Sequence, residues 1–237
     1  MQRVSTAAIV PLVALCAAAQ SLSDFTTPQP LPPGGVIVVG FLGGYDGWDD
    51  PHRGVRKVAL DLRSRGIPNL SVETAGNHHQ HTALKLIRRA LDTNRNGHID
   101  PDEAAQARVI LYGQSWGGAA VVHTARDLER LGVPVLLTVQ IDSVGLHDAV
   151  IPANVRAAAN FFQHDLLTIQ GRGEIRAEDP ARTRILGNYQ LSYYFYPVDG
   201  SDASWARRTF GGSHAKMELD PMVWTQVEQL ILQAISR

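Results

Sequence analysis

Cysteine is almost absent from this chain: its 237 residues include only Cys16, close to the N-terminus. The rest of the chain therefore has no disulfide framework and no cysteine chemistry. An excess of charge is also lacking, because the formal net charge is -1 and no basic stripe interleaved with aromatic residues occurs. The sequence therefore gives no sign of a nucleic-acid partner. A chain of this length can bury one substantial core, which predicts a single globular domain.

An apolar run occupies residues 7–19, preceded by Arg3 and ending in small residues at 17–19. This pattern is typical of a secretory signal peptide. The run is short for a bilayer span and contains Pro11, so a retained membrane anchor is the less favoured alternative. We expect residues 1–19 to be removed and the mature protein to be secreted or periplasmic, with no thiol and no stable membrane span.

Beyond the N-terminus, strand-like apolar runs alternate with amphipathic segments. Residues 20–34, rich in Ser, Thr, Gln and Pro, predict a flexible lead-in to one domain over residues 35–237. Apolar runs separated by amphipathic helices are typical of a mostly parallel sheet with helices on both faces, so we expect a three-layer α/β sandwich. The predicted strands are residues 36–41, 69–74, 108–112 and 134–142, with 159–163 and 191–198 as candidates to extend the sheet, and the last helix begins near Pro221.

Ser115 lies in the pentapeptide Gly113-Gln114-Ser115-Trp116-Gly117, where a predicted strand stops and a predicted helix starts. This is the layout of a nucleophile elbow, a turn so sharp that the serine takes strained backbone geometry and presents its hydroxyl at the edge of the sheet. The flanking glycines leave room for neighbouring chain. Because G-x-S-x-G alone is a weak signal, the surrounding sequence must decide whether Ser115 is a nucleophile.

A serine hydroxyl becomes a nucleophile at neutral pH only with a base to take its proton and an acid to orient that base. In folds built around such an elbow, the chain order is serine, then Asp or Glu, then His. Asp142 closes the strand predicted after the elbow, and His214 lies in a glycine-rich loop directly before the last helix. Both occur in the required order, and Asp165, Asp199 and Asp202 remain open as alternative acids.

The strand, the G-Q-S-W-G turn, the strand-end Asp and the late loop His together resemble the serine esterases and lipases of the α/β-hydrolase superfamily, over nearly all of the mature chain. The resemblance implies an α/β-hydrolase-like fold with Ser115 as nucleophile, His214 as general base and then acid, and Asp142 as the residue that orients it. It also implies a small-molecule or lipid ester substrate, with a thioester or amide as an alternative.

Such an enzyme needs an oxyanion hole, which stabilises the negative charge that develops on the carbonyl oxygen. One donor is expected to be the amide of Trp116, directly after the nucleophile. The second is expected from the glycine-rich segment GFLGGYDGW after the first strand, where the amide of Phe41 or Leu42 is the candidate. The competing interpretation of this segment is an ordinary glycine-rich turn.

Residues 92–103, DTNRNGHIDPDE, fit the twelve-residue EF-hand loop that binds calcium. The predicted ligands and their loop positions are Asp92, Asn94 and Asn96 at positions 1, 3 and 5, the His98 carbonyl at 7, Asp100 at 9 and Glu103 at 12, with Gly97 at the sharp turn of position 6. Asparagine at two ligand positions lowers the ligand charge, which predicts a weak site suited to calcium outside the cytoplasm. A single unpaired loop favours a structural ion over a switch.

Two alternatives remain open for this loop and for the whole protein. The loop could be a polar connection that coordinates nothing. The protein could be a non-catalytic calcium-binding structural or interaction protein on a hydrolase scaffold. Three histidines at 78, 79 and 81 resemble no catalytic metal motif, and we interpret them as a polar loop entering a helix, from which one could contact substrate.

Overall fold

In a computed structural model, which describes residues 20–165, 169–199 and 212–236, six parallel strands form the central sheet. These strands are β1 (Val36–Leu42), β2 (Leu70–Gly76), β3 (Val109–Gln114), β4 (Val135–Ile141), β6 (Ala157–Gln163) and β8 (Arg184–Leu191). Their order is β2-β1-β3-β4-β6-β8, while the short strands β5 (Val150–Ile151) and β7 (Arg176–Ala177) pair separately. The predicted signal peptide at residues 1–19 lies outside the described residues, as does Asp202.

Helices cover both faces of the sheet: α1 (Gly54–Ser64), α2 (Gln80–Leu91), α3 (Pro101–Gln106), α4 (Trp116–Arg130), α5 (Gly212–Leu219) and α6 (Pro221–Ile235). Along β1, Ile37 and Val39 pack in one core cluster with α2 and α4, whereas Val36 and Val38 pack in a second with α1 and α6. This alternation confirms the predicted three-layer α/β sandwich. Among the described helices, none has both the length and the hydropathy needed to cross a bilayer.

The carboxyl ends of β1 and β3 lie side by side where the strand order reverses. From β1 the chain adds β2 on one side and then crosses to build β3, β4, β6 and β8 on the other. Open parallel sheets bind ligands beyond the carboxyl ends of their strands at such a switch point. The loop after β1 and the elbow after β3 both emerge there, so the topology brings them together.

Residues 20–34 pack against the domain instead of forming the flexible lead-in that their composition predicts. Phe25 is buried in the core beside α2. The buried carboxylate of Glu73 accepts hydrogen bonds from the backbone and hydroxyl groups of Thr26 and Thr27, at 2.7 to 3.0 Å. A buried carboxylate needs such donors. The polar residues of the lead-in therefore satisfy an internal charge.

The last strand lies upstream of its predicted position. β8 pairs with β6 along its length, whereas the segment 192–199 contains no strand and its aromatic residues at 194–196 are exposed. The reason is that every residue of β8 is half-buried or exposed. A strand of that kind lacks the continuous apolar run that marks a strand buried on both faces.

Candidate active site

Ser115 stands between β3 and α4 in strained backbone geometry, with φ 57° and ψ -125°. Few residues other than glycine adopt a positive φ. Its amide donates to the Ile141 carbonyl at 2.9 Å, and its carbonyl accepts from the Gly118 amide at 2.9 Å. A Cβ on Gly117 would lie 2.0 Å from the Phe41 carbonyl oxygen, so glycine there lets the end of β1 pack against the turn. The elbow is therefore held from both neighbouring strands.

The structure brings Ser115, His214 and Asp142 into one hydrogen-bonded chain. Ser115 Oγ lies 3.0 Å from His214 Nε2, and His214 Nδ1 lies 2.6 Å from Asp142 Oδ2. A neutral imidazole with its proton on Nδ1 donates to the carboxylate and leaves Nε2 able to accept the serine proton. The three groups therefore meet the geometric requirement for an activated serine.

Asp142 is fully buried at the end of β4 and has φ 44°. Its Oδ1 accepts from the backbone amides of Gln163 and Gly171 at 3.2 and 3.0 Å, and its Oδ2 accepts from the Gln163 side chain at 2.9 Å. These donors replace the water that the carboxylate loses on burial. They also fix the direction in which Oδ2 meets His214. Neither supporting residue was predicted, because each lies in a segment whose sequence carries no motif.

The alternative acid Asp165 has a different role in the structure. It accepts hydrogen bonds from the Ser213 hydroxyl at 2.5 Å, the Tyr193 amide at 2.6 Å and the Ser192 hydroxyl at 2.8 Å. Burial alone would raise the pKa of Asp165, but these hydrogen bonds outweigh it and hold the pKa below its usual value. Asp199 is exposed. Asp165 therefore holds the residue before the histidine rather than the histidine itself.

His214 lies in the first turn of α5, not in the loop that its glycine-rich surroundings predicted. The start of this helix is fixed by the bond from Ser213 to Asp165, and the Lys216 side chain donates to the Tyr193 carbonyl at 2.8 Å. A helix positions an imidazole more firmly than a glycine-rich loop does. The difference arises because hydrogen-bonding partners distant in sequence stabilise a turn that local composition disfavours.

A buried charge network connects α5 to the loop after β1. The guanidinium of Arg53 lies 3.4 Å from Glu218 of α5 and forms an ion pair with Asp46 of the loop. Glu218 also accepts from the Gly54 amide at 3.1 Å. Burial raises the pKa of both carboxyls, against the lowering effect of Arg53. The network ties the helix that carries His214 to the segment that faces the elbow.

The structure changes the predicted oxyanion donors in part. Trp116 is the first residue of α4, so its amide has no partner within the helix. Phe41 and Leu42, by contrast, belong to β1. Successive amides of β1 donate to its two neighbours in turn: the Val36 amide donates on the β2 side and the Ile37 amide on the β3 side. The same alternation directs the Phe41 amide to β3 and the Leu42 amide to β2.

Gly43, the first residue after β1, packs against the elbow. A Cβ on it would lie 2.8 Å from Ser115 Cβ and 2.9 Å from the Gln114 carbonyl oxygen. Because β1 runs one residue further than predicted, the candidate second donor moves from Phe41 or Leu42 to the segment that begins at Gly43. Glycine is required there by this close approach.

Asn77, which the sequence interpretation missed, fixes this loop. Its side-chain amide donates to the carbonyl of Leu42 at 3.1 Å and to that of Gly44 at 2.5 Å. Asn77 is buried in a short 3-10 turn directly after β2. Its only sequence signal is its place after a predicted strand, at the edge where ligands gather.

An exposed aromatic cluster stands beside the serine. Tyr45 and His78 are stacked with ring centroids 5.0 Å apart, and Trp116 meets them edge-on at 5.6 and 5.9 Å. Tyr45 is 80% exposed and Trp116 40% exposed. Of the three predicted loop histidines, His78 therefore joins this cluster, while the His79 ring accepts from the Gln20 amide at 3.3 Å.

The predicted calcium loop connects α2 and α3 in a helix-loop-helix arrangement, and Gly97 has φ 86° at the sharp turn. Asp92 accepts from the amides of Asn96 and Gly97 at 3.0 and 2.9 Å. Asp100 accepts from the side chains of Asn94 and Asn96 at 2.8 and 3.0 Å. The side chains of loop positions 1, 3, 5 and 9 are thus gathered by shared hydrogen bonds.

Glu103 closes the loop from the start of α3. Its carboxylate accepts from the Asp100 amide at 3.0 Å and from the hydroxyl and amide of Thr93, both at 2.7 Å. The Asp100 amide and the Thr93 hydroxyl are the main causes that lower the pKa of Glu103 to about 2. The side chain is therefore an anion over the physiological range. Within the described ranges, no three His, Cys, Asp or Glu side chains form a metal site by themselves. The predicted calcium site would therefore need asparagine and carbonyl oxygens as well, including the carbonyl of His98.

No protein-family model and no curated protein sequence matches the chain. Among solved structures, it is similar to a cutinase-like protein from Cryptococcus sp., at 13% identity and TM-score 0.45, over 89% of this chain and 98% of that chain. It is also similar to a dienelactone hydrolase from Anabaena variabilis, at 14% identity and TM-score 0.42, over 87% and 88% of the two chains. The NocB thioesterase domain from the nocardicin cluster aligns at 13% identity and TM-score 0.41, over 92% and 97%. All three are distant likenesses.

Proposed function

We propose that this protein is a serine hydrolase that cleaves a carboxylic ester, with Ser115 as nucleophile, His214 as base and then acid, and Asp142 as the residue that orients the imidazole. One observation carries the proposal. Ser115 Oγ, His214 and the Asp142 carboxylate are joined by hydrogen bonds of 3.0 and 2.6 Å at the carboxyl edge of a parallel sheet.

In the first half of the reaction, Ser115 Oγ attacks the ester carbonyl carbon while His214 Nε2 takes the serine proton. The amide of Trp116 and an amide from the segment that begins at Gly43 would donate to the oxyanion that forms. When the carbon–oxygen bond to the alcohol breaks, His214 gives its proton to the leaving oxygen. The alcohol departs and the acyl group remains on Ser115.

In the second half, water replaces the alcohol. His214 takes a proton from the water as its oxygen attacks the acyl carbon, and the bond from that carbon to Ser115 Oγ then breaks. The proton returns to the serine oxygen, and a carboxylic acid is released. Asp142 stabilises the imidazolium in both halves without itself becoming protonated.

Covalent labelling tests this proposal directly. A fluorophosphonate probe should label the wild type and the Ser64→Ala variant, which removes an exposed serine of α1, but it should not label Ser115→Ala. Equal labelling of wild type and Ser115→Ala would overturn the mechanism. Calcium binding without labelling or hydrolysis of p-nitrophenyl esters would instead support a non-catalytic calcium-binding protein.

We also propose that residues 92–103 hold a structural calcium ion. When bound, the ion would neutralise the gathered carboxylates of Asp92, Asp100 and Glu103 and pin the connection that leads into β3. Chelation should lower the melting temperature of the purified protein and leave its folded fraction active. Unchanged melting temperature and unchanged ester hydrolysis after chelation would contradict the site.

Export is the third part of the proposal. It rests on the signal-peptide pattern of residues 1–19. Sequencing of the N-terminus of protein recovered from the medium or the periplasm should find a start near residue 20. A chain that begins at Met1 in the membrane fraction would indicate the retained anchor instead.

A further inference from the structure

Three aromatic rings from separate segments of the chain converge beside Ser115. Tyr45 comes from the loop after β1, His78 from the turn after β2, and Trp116 from the first position of α4. Their centroids lie 5.0 to 5.9 Å from one another. None of the three rings belongs to either hydrophobic core cluster. Packing in the hydrophobic core therefore does not explain this arrangement of the rings.

The rings form a corner rather than a flat patch. Tyr45 is stacked on His78, 23° from parallel, so the exposed Tyr45 makes one wall with His78 behind it. Trp116 is inclined at 86° to Tyr45 and 71° to His78 and makes the other wall. A planar ring placed in such a corner can stack on one wall while its edge meets the other. These are the two arrangements that aromatic pairs prefer.

The corner is held in place although its rings are exposed. The buried Asn77 donates to the carbonyl of Gly44, directly before Tyr45, and itself directly precedes His78. One residue thus positions both rings of the stacked wall. Trp116 is fixed by the elbow, since it follows Ser115 directly. Exposed apolar groups that are held rigidly beside a reactive residue are characteristic of a ligand-binding surface.

The geometry points to a ring-binding subsite: Tyr45, backed by His78, and Trp116 accept a planar, uncharged ring of the ester substrate. The preferred substrates are therefore esters that carry an aromatic ring on the acyl or the alcohol side, rather than esters of saturated groups. This inference rests on the proposed ester hydrolysis for its catalytic consequence. The stacking surface itself depends only on the three rings.

Matched ester pairs test the inference. Ethyl benzoate is compared with ethyl cyclohexanecarboxylate for the acyl side, and phenyl acetate with cyclohexyl acetate for the alcohol side. In at least one pair, Tyr45→Ala and His78→Ala should lower kcat/KM for the aromatic ester by about fivefold or more, and for its saturated partner by less than about twofold. The kcat/KM of each variant is divided by that of the wild type on the same ester, so differences in the intrinsic reactivity of the esters cancel.

Conservative variants test whether the flat ring itself, rather than another property of the side chain, causes the preference for aromatic esters. Tyr45→Phe and His78→Phe should keep the preference, because each retains a flat ring. Met222→Ala, which removes an exposed apolar side chain from α6, should change neither member of a pair. Equal losses on the aromatic and saturated esters in both pairs would overturn the subsite.

A binding measurement distinguishes failure of the subsite from failure of the proposed chemistry. Benzophenone, a ketone shaped like phenyl benzoate, should bind the Ser115→Ala protein more tightly than dicyclohexyl ketone does, and Tyr45→Ala in that background should weaken the binding of benzophenone selectively. This result in a protein that hydrolyses no ester would keep the subsite and reject the hydrolase. Equal affinity for the two ketones would reject the subsite whatever the enzyme does.

Discussion

The predicted calcium loop and the candidate catalytic edge lie at opposite ends of β3, and the hydrogen bonds within each region span different distances along the chain. Hydrogen bonds within the loop join residues no more than ten positions apart. The bonds that join His214 to Ser115 and Asp142 span 99 and 72 positions. The structure of the first region depends on one short segment, whereas the structure of the second requires that the whole sheet has formed.

This difference predicts that the two regions respond separately to substitution. A change in the loop should alter the stability of the connection before β3 and leave the catalytic atoms in place, because the length of β3 lies between them. A change among the long-range partners should remove rate and leave calcium binding intact. The following variants test that separation.

The largest effect is expected for Asp142→Asn. The asparagine oxygen would keep the place that accepts the amides of Gln163 and Gly171, so its amino group would face His214 Nδ1. The Gln163 side chain would lose its bond to this position and keep the one to the Ile169 carbonyl. The imidazole would then carry its proton on Nε2 and could not accept the serine proton. We expect kcat to fall about ten-thousandfold, with calcium affinity unchanged, in steady-state kinetics and calorimetry.

The control for this prediction is Asp148→Asn. Asp148 is equally buried near the end of β4, but it binds Ser143 and Arg172 instead of the histidine. This variant should melt at a lower temperature and keep most of its rate per folded molecule. A comparable loss of kcat in both variants would mean that disruption of the β4 region, not the imidazole tautomer, explains the effect.

A smaller effect is expected for Asn77→Ala, which removes the two hydrogen bonds that fix the loop after β1. The segment that begins at Gly43 would then meet the oxyanion less accurately, and two carbonyls would lose their donor. We expect kcat to fall about tenfold, with a loss of about 1–3 kcal/mol in the free energy of unfolding.

Asn154→Ala is the matched control for this second prediction. Asn154 also donates from one amide group to two backbone carbonyls, those of Ala125 and Val133, both at 2.9 Å. It should lose similar stability in urea unfolding while kcat stays within about twofold of wild type. If the two variants lose rate equally, Asn77 has no special role in positioning the loop.

The same comparison explains what could be predicted from the sequence. The fold class followed from alternating apolar runs, and the loop from a spacing complete within twelve residues. Asp142 and His214 could be proposed from chain order alone, and the structure joins them to Ser115. In these cases the required information is either local or a matter of order along the chain.

The features missed by the sequence interpretation all depend on contacts between distant segments. The helical setting of His214 depends on Asp165, which lies 48 positions from Ser213. Asn77 acts on carbonyls 33 and 35 positions away. The end of β1 is set by pairing with two neighbouring strands, which no local pattern specifies. For this reason the predicted second oxyanion donor, Phe41 or Leu42, lies one or two residues before Gly43, where the segment now proposed as the donor begins.

The smallest effect on rate is expected for Glu103→Gln, measured in chelator by thermal melts at several pH values. The hydrogen bonds that hold the pKa of Glu103 at about 2 favour the folded state wherever the unfolded carboxyl, with its ordinary pKa near 4.5, is also ionised. The stability advantage of wild type over the variant should therefore be full at pH 7, shrink as the pH falls below about 4.5, and disappear near pH 2. The exposed Glu174→Gln is the control for removal of a surface carboxyl. Because the loop network is local, kcat per folded molecule at pH 7 should match wild type in both variants. A loss of kcat in Glu103→Gln at full folding would instead show that the two ends of β3 are coupled, and the separation between loop and catalytic edge would fail.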